Sequence, residues 1–256
     1  YYAYSTGLFV QMAKALGKED VAVEYEELYH KIVKKFQETF FDAEGNMTAQ
    51  TQTAHIVALY FQLTPEKYIT KTVEGLKRLL DKENGHLVTG FVGTPYFCHA
   101  LSQNHALKEA YDLLLKEDFP SWLYQVKKGA TTIWEHWDSY TKEKGFGGQN
   151  AMNSFNHYSL GSVLSWLYHT GLGIHRDETK PGYQHILLKP QPGPLEFMKG
   201  SVDSPYGVIS AGWERKGDKI EYQVTIPVNT TATLFKNTQD PADTCLLYTS
   251  PSLRDS

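Results

Sequence analysis

The spacing of apolar residues changes once along this chain, and that change limits the folds open to it. In residues 18–41 the apolar side chains recur at steps of three and four, the period of an amphipathic α-helix. In residues 220–227 they alternate with polar ones, the period of a strand with one wet face. Helical spacing persists to about residue 175, and strand spacing begins at about residue 182. The sequence therefore predicts a helical part followed by a small β part.

The helical part reads as about eight segments separated by short turns. Gly17 is suited to end the first helix, and Pro65 is suited to the first turn of another. The segments are not self-similar at any fixed spacing, so they predict antiparallel helices of a toroid rather than a repeat array. We divide the chain into a helical domain at 1–176, a β domain at 177–240 and a tail at 241–256 that fits neither pattern and is interpreted as non-native.

Composition excludes several classes of function. The net charge of −4 comes without the basic stripe that nucleic acid requires, so no nucleic-acid partner is expected. No apolar run approaches the eighteen residues of a membrane span, so no membrane association is expected. Cys98 and Cys245 are too few and too separated to indicate a disulfide framework, and they leave the cellular location undetermined. The first residue is Tyr1 within a helix-like pattern, which we interpret as an internal piece of a longer protein.

One segment combines aromatic and acidic residues in a way that indicates sugar chemistry. The residues are Trp134, Glu135 and Trp137, within the sequence GATTIWEHWDSY. A carboxylate beside aromatic faces is suited to glycoside hydrolysis, which needs one acid and one base or nucleophile. The alternative is a loop glutamate that caps a helix or pairs with Lys127 or Lys128.

A second polar cluster follows in the sequence NSFNHYSLGS. On a helix, Asn153, Asn156 and His157 lie at positions i, i+3 and i+4 and share one face. Two amides and an imidazole at a helix start are suited to binding sugar hydroxyls, and the alternative is ordinary capping with a buried histidine. The glycine-rich loop at 90–96 is either another wall of the same site or a structural connection.

The remaining candidates indicate neither a metal nor a cofactor. Four histidines lack the spacing of metal ligands, and they are His55, His86, His99 and His105. Cys98 has apolar neighbours and is predicted to be a small buried hydrophobe. We therefore expect no metal ion and no cofactor.

Taken together, these motifs resemble a known family. GATTIWEHWDS, then NSFNHYSLGSV about twenty residues on, then KPQP and SPYG in the β part, are similar to the C-terminal half of bacterial α-L-rhamnosidases of glycoside hydrolase family 78. TQTAHIVALYFQL and GFVGTP add to the likeness, which runs from about residue 1 to 240. The resemblance implies a mainly α chain with a β C-terminal part, an incomplete (α/α)6 toroid followed by a small antiparallel β-sandwich.

The resemblance also implies roles for particular residues. Glu135 corresponds to the general base of an inverting hydrolysis, and His157 to the active-site histidine, while His136 stands where arginine is common. Trp134, Trp137, Asn153 and Asn156 are expected to contact the sugar. The family's general acid corresponds to a segment upstream of Tyr1.

The substrate implied is a terminal α-L-rhamnoside, as part of a rhamnose-containing glycoside or polysaccharide. Two alternatives stay open. One is another (α/α)6 inverting glycosidase, and the other is a non-catalytic helical carbohydrate-binding module.

Overall fold

The first half of the chain is helical, as its residue spacing predicts. The computed structural model describes residues 1–146 and 152–235, and of residues 244–248 the backbone. The chain divides into two units, Tyr1–Gly161 and Ser162–Ser256. The helices of the first unit are α1 Tyr2–Ala15, α2 Glu19–Phe40, α3 Gln52–Tyr60, α4 Ile69–Lys82, α5 Phe97–Gln103, α6 Leu107–Leu114, α7 Trp122–Lys127 and α8 Tyr158–Gly161. This unit also contains two 3₁₀ turns, Glu66–Tyr68 and Thr94–Tyr96, and a short hairpin of β1 Tyr140–Thr141 and β2 Gly145–Phe146.

Consecutive helices pack as pairs: α1 on α2, α3 on α4, and α5 on α6. Gly17 adopts the left-handed conformation between α1 and α2, with φ of 64°, which confirms its predicted place at the helix end. The Oγ atoms of Thr51 and Ser121 accept backbone N–H groups at the starts of α3 and α7, at 3.2 and 3.1 Å. These caps satisfy donors that a helix start leaves unpaired.

The core of this unit lies between the helix pairs. Its largest buried side chains come from α3, α4, α5 and α6, and they include Ile56, Leu76, Phe97, Leu101 and Tyr111. Cys98 is buried among them, and desolvation raises the pKa of its thiol to about 12. The prediction that Cys98 is a buried hydrophobe is confirmed. No helix in the described part of the chain is both long enough and apolar enough to cross a membrane.

The second unit begins with helix and continues as two sheets. It holds α9 Val163–Trp166, a π-helix Leu167–Gly171, and strands β3 Ile174–Arg176, β4 His185–Leu188, β5 Phe197–Ser204, β6 Gly207–Lys216, β7 Lys219–Thr225, β8 Thr231–Phe235 and β9 Thr244–Tyr248. One sheet has the order β3-β4-β8-β9 and the other β5-β6-β7. One cluster of buried residues is the core of a sandwich, and it consists of Leu172, just after the π-helix, with residues of both sheets: Ile174, Ile186, Leu188, Ile209, Ala211 and Ala232.

The β prediction needs two corrections. Strand structure starts at Ile174 rather than near residue 182, because β3 is only three residues long and carries no readable period. The unit is not wholly antiparallel, since β4 pairs in parallel with β8. A parallel pair needs a long crossover, and the three strands of the other sheet provide it between residues 188 and 231.

Within β6 and β7 the expected burial is found. Trp213 is 2% exposed, and its Nε1 donates to the carbonyl of Gly171 at 2.8 Å. Burial alternates along β7, and Val224 packs against the core cluster. Ile220 and Tyr222 are half-buried. The predicted strand with one solvent-exposed face is therefore confirmed.

The predicted non-native tail is partly described. The backbone of Thr244–Tyr248 pairs antiparallel with β8, from Thr231 opposite Tyr248 to Phe235 opposite Thr244. The sequence pattern predicts no strand in this tail, so the pairing is a difference between the prediction and the structure. Residues 241–243 and 249–256 lie outside the described residues.

Three imidazoles make stability depend on pH, one of them that of His169, whose pKa is lowered by desolvation. Desolvation lowers the pKa of His55, and it lowers the pKa of His175 to about 4, with help from the charges of His169 and Lys189. The unfolded chain, with pKa values near 6.5, binds protons that the folded chain resists. The contribution of these imidazoles to the free energy of unfolding is therefore fully present above about pH 6.5, and it declines as the pH falls toward 4.

We expect the melting temperature of the chain to fall by roughly 2–8 °C between pH 7 and pH 4.5, for a loss of about 1–2 kcal/mol after allowance for the exposed part of His175. Circular dichroism melts across this range measure it. His175→Asn should reduce the pH dependence, whereas His30→Asn, at an exposed position on α2, should leave it unchanged. A melting temperature independent of pH would contradict the expectation.

Candidate active site

The Glu135 carboxylate is fixed by the backbone of a second segment. Glu135 lies in the loop between α7 and β1, and its N–H donates to the carbonyl of Ser154 at 2.8 Å. In return the N–H of Ser154 donates to Oε2 of Glu135, also at 2.8 Å. The side chain is 14% exposed. This reciprocal pair holds one carboxylate oxygen and leaves Oε1 directed elsewhere.

Two imidazoles lie near Oε1. Nε2 of His136 is 3.9 Å from it, and Nε2 of His157 is 4.0 Å from it. The N–H of Ser159 donates to Nδ1 of His157 at 3.2 Å. Because Nδ1 accepts this bond, the proton of the neutral ring belongs on Nε2, the atom nearer the carboxylate. The structure thus brings Glu135 and His157 together, as expected.

The segment from 153 to 157 is not helical, and here the sequence-based prediction is wrong. The helix begins only at Tyr158. The N–H of His157 donates to the carbonyl of Ile133 at 2.9 Å, and the Ser154 carbonyl is bonded to Glu135. Since these backbone groups pair with a distant segment, they do not form helical bonds, and Asn153, Asn156 and His157 share no helical face.

The alternative role of Glu135 as a partner of nearby lysines is not seen. Lys127 pairs with Glu117 instead. The Lys128 ammonium lies 5.1 Å from the centroid of the Tyr124 ring, within the distance of about 6 Å at which a cation is attracted to an aromatic face. The contacts of the Glu135 side chain given by the structure are to the Ser154 amide and the two imidazoles.

The two tryptophans have packing roles. Trp134 is 4% exposed and meets Phe155 edge-on, with centroids 5.7 Å apart. Its ring is therefore largely covered by protein, and its contact with sugar stays a prediction. Trp137 is half-buried and meets Trp122 edge-on at 5.4 Å. Its contact with sugar stays a prediction.

The two asparagines differ in their surroundings. Nδ2 of Asn153 donates to the carbonyl of Ser139 at 3.1 Å, which ties the second segment to the Glu135 loop. Asn156 is exposed, and its N–H donates to Oγ of Ser154 at 3.2 Å. Sugar contacts by their side chains stay predictions.

Sequence reasoning missed two residues of this region. Gln125 of α7 is buried, and its side-chain amide bonds to the backbone on both sides of Glu135. Its Nε2 donates to the His136 carbonyl at 3.2 Å, and its Oε1 accepts from the Trp134 N–H at 3.4 Å. A buried glutamine carries no sequence signal that separates it from any other polar helix residue.

The other missed residue is Phe91, in the glycine-rich loop at 90–96. Its ring stacks on the imidazole of His157, with centroids 4.9 Å apart and planes 25° apart. An aromatic residue in the run GFVG was the available signal. The loop is therefore close to the candidate site, as one of its two sequence interpretations held.

In the described part of the chain, no three or more His, Cys, Asp or Glu side chains are grouped so that they could hold a metal ion. The chemistry that the described residues can supply around Glu135 is proton transfer and hydrogen bonding.

Comparisons with known proteins assign both units to one family. Residues 1–170 match the model of the bacterial alpha-L-rhamnosidase 6 hairpin glycosidase domain, and residues 173–243 match the bacterial alpha-L-rhamnosidase C-terminal domain. These matches agree with the mainly α chain and its β C-terminal part. The predicted domain boundary at 176–177 stays a prediction.

Named relatives agree with the family models. The chain is 36% identical over 234 residues to an alpha-L-rhamnosidase of Formosa agariphila, and 37% identical over 235 residues to one of Alteromonas sp. (strain LOR). Each alignment covers 91% of this chain and 25% of the relative. The chain thus spans about a quarter of the length of these relatives.

A solved structure has the same fold. The Streptomyces avermitilis alpha-L-rhamnosidase complexed with L-rhamnose superposes with a TM-score of 0.86 at 32% identity. The match covers 96% of this chain and 25% of that one.

Proposed function

Because this chain belongs to the bacterial α-L-rhamnosidase family, we propose that it is the part of an inverting α-L-rhamnosidase that carries the general base. The substrate is a terminal α-L-rhamnoside within a glycoside or polysaccharide. The observation that carries the proposal is the Glu135 carboxylate, held by the Ser154 amide with Oε1 near two imidazoles. A relative bound to L-rhamnose supports the choice of sugar.

Glu135 acts on water in this proposal. Oε1 takes a proton from a water molecule, and the water oxygen bonds to the anomeric carbon from the face opposite the leaving group. The bond from that carbon to the aglycone oxygen breaks, and the oxygen is protonated by a general acid. An inverting pair of carboxyl groups stands roughly 6.5–9.5 Å apart, which leaves room for the water. In this proposal the general acid belongs to a segment outside these 256 residues, as the family resemblance implies.

The neighbours of Glu135 prepare it for this step. The Ser154 N–H occupies Oε2 and fixes the side-chain torsions, so Oε1 is the oxygen left to accept the proton. The proton on Nε2 of His157 can be donated to a sugar hydroxyl or to the attacking water. Trp134, Trp137, Asn153 and Asn156 are the remaining proposed sugar contacts.

The test uses the parent protein, meaning the longer protein that we propose carries this segment. It is assayed on the p-nitrophenyl derivatives of α-L-rhamnose, α-glucose and β-glucose, and the released sugar is followed by proton NMR. We expect release from the rhamnoside alone, with β-L-rhamnose as the first anomer, because inversion converts the α linkage to the β anomer.

Other outcomes decide against the proposal. First release of α-L-rhamnose would mean retention, with Glu135 in another role. Hydrolysis of the glucosides instead would favour another inverting glycosidase. Sugar binding without hydrolysis of any of the three would favour a carbohydrate-binding module.

A further inference from the structure

The loop that carries Phe91 is tightly closed. The carbonyl of Gly90 accepts the N–H groups of Gly93 and Thr94, at 3.1 and 3.0 Å. Oγ1 of Thr94 lies 3.0 Å from the same carbonyl and 2.9 Å from Oγ1 of Thr89. Gly93 packs so closely on Thr89 that an added Cβ would lie 3.0 Å from its side chain. These contacts hold the backbone on either side of Phe91 in place.

Phe91 is exposed, although hydrogen bonds and close packing hold the neighbouring loop residues in place. The residue is 47% exposed, and its ring contacts those of His157 and Tyr158, with centroids 4.9 and 6.2 Å away. Leaving this much apolar surface in water is unfavourable, by about 25 cal/mol for each Å². The tightly closed loop therefore holds an exposed aromatic ring against the His157 imidazole, which indicates a functional role for this contact.

His157 needs such a contact to keep its orientation. Its Nε2 is 4.0 Å from Oε1 of Glu135, which is beyond a hydrogen bond. The bond from the Ser159 N–H fixes one edge of the ring at Nδ1. The plane of the ring is set by stacking, on Phe91 and on Tyr158, whose centroid is 5.0 Å away.

We propose that Phe91 is a positioning residue for hydrolysis, which holds the His157 imidazole in the plane that directs Nε2 toward Oε1 of Glu135 and the reacting sugar. This inference rests on the proposed function of Glu135 and His157. Phe91 acts through His157, and loss of its ring lets the imidazole rotate away from the productive orientation. The effect falls mainly on kcat, since the other proposed sugar contacts do not depend on the orientation of the His157 ring.

The experiment is a double-mutant cycle in the parent protein, with Phe91→Leu, His157→Asn and the double variant. We expect Phe91→Leu to lower kcat by about 3–10-fold, the range that an aromatic pair supports, with KM changed less than twofold. In the His157→Asn background, Phe91→Leu should have no further effect on kcat. Phe91→Tyr keeps a ring that can stack and should retain nearly full activity.

Val88→Ala is the matched control, because Val88 precedes the same loop and is also exposed, at 56%. It should leave kcat unchanged, and melting temperatures confirm that each variant folds. The inference is overturned by an unchanged kcat in Phe91→Leu, by an equal loss in the His157→Asn background, by no rescue in Phe91→Tyr, or by an equal loss in Val88→Ala. Glu135→Gln separates the two proposals, since its full activity would overturn the proposed function, whereas its inactivity beside a fully active Phe91→Leu would overturn only this inference.

Discussion

Glu135→Gln in the parent protein is expected to lower kcat for p-nitrophenyl α-L-rhamnoside by about 10²–10⁴-fold, the contribution of a general base. The glutamine side-chain oxygen can still accept the Ser154 N–H, so the bond that orients the residue is kept. The amide cannot take the proton of the attacking water. We therefore expect KM and the melting temperature to stay close to those of the unchanged protein, with the loss confined to the chemical step.

The control for this change is Glu143→Gln. Glu143 is exposed in the turn between β1 and β2, eight positions along the same segment. Its replacement removes the same charge without touching the site and should leave kcat within twofold of the original. Full activity of Glu135→Gln would show that the base is another residue, and an equal loss in both variants would show that the effect is one of charge.

The 256-residue chain by itself is expected to hydrolyse p-nitrophenyl α-L-rhamnoside at least about 10²-fold more slowly than the parent protein. A general acid contributes about 10²–10⁴-fold, and we propose that the acid lies outside this segment. The measurement is the turnover of both purified proteins at equal concentration. Comparable turnover would place the acid within this chain and would overturn the proposed division of roles.

The same chain is expected to self-associate. Apolar side chains recur every four residues along α1 and at its C-cap, and they are exposed: Tyr4, Leu8 and Met12 of the helix, followed by Leu16. A continuous apolar stripe of this kind favours association. Size-exclusion chromatography separates the two causes of low activity. An inactive monomer fraction would support the explanation that the chain lacks the general acid. Activity recovered in the monomer fraction would attribute the loss to aggregation.

The helical architecture could be predicted because it follows from local physics. A face of apolar residues at steps of three and four is buried only if the segment is helical, and Val21, Tyr25, Ile32 and Phe36 of α2 are half-buried as this requires. Gly17 ends the first helix because a glycine adopts positive φ without a steric cost. Such preferences act within a few residues, so they can be read from the sequence.

The candidate site could be predicted in part. Glu135 and His157 are brought together as the motifs implied, with Nε2 of His157 4.0 Å from Oε1 of Glu135. The helical face assigned to Asn153, Asn156 and His157 was wrong. The polar spacing there matches a helix, but no local signal shows that the backbone of this segment is hydrogen-bonded to a segment about twenty residues away.

By itself the sequence determined the order of helices and strands, the family resemblance and the identity of the candidate base, because each rests on neighbouring residues. Only the tertiary structure decided that Ser154 binds the Glu135 carboxylate, that Trp134 is covered, and that Phe91 stacks on His157. These contacts join residues between 19 and 66 positions apart. Their geometry depends on how loops pack after the helices have paired, and no periodicity or spacing along the chain encodes it.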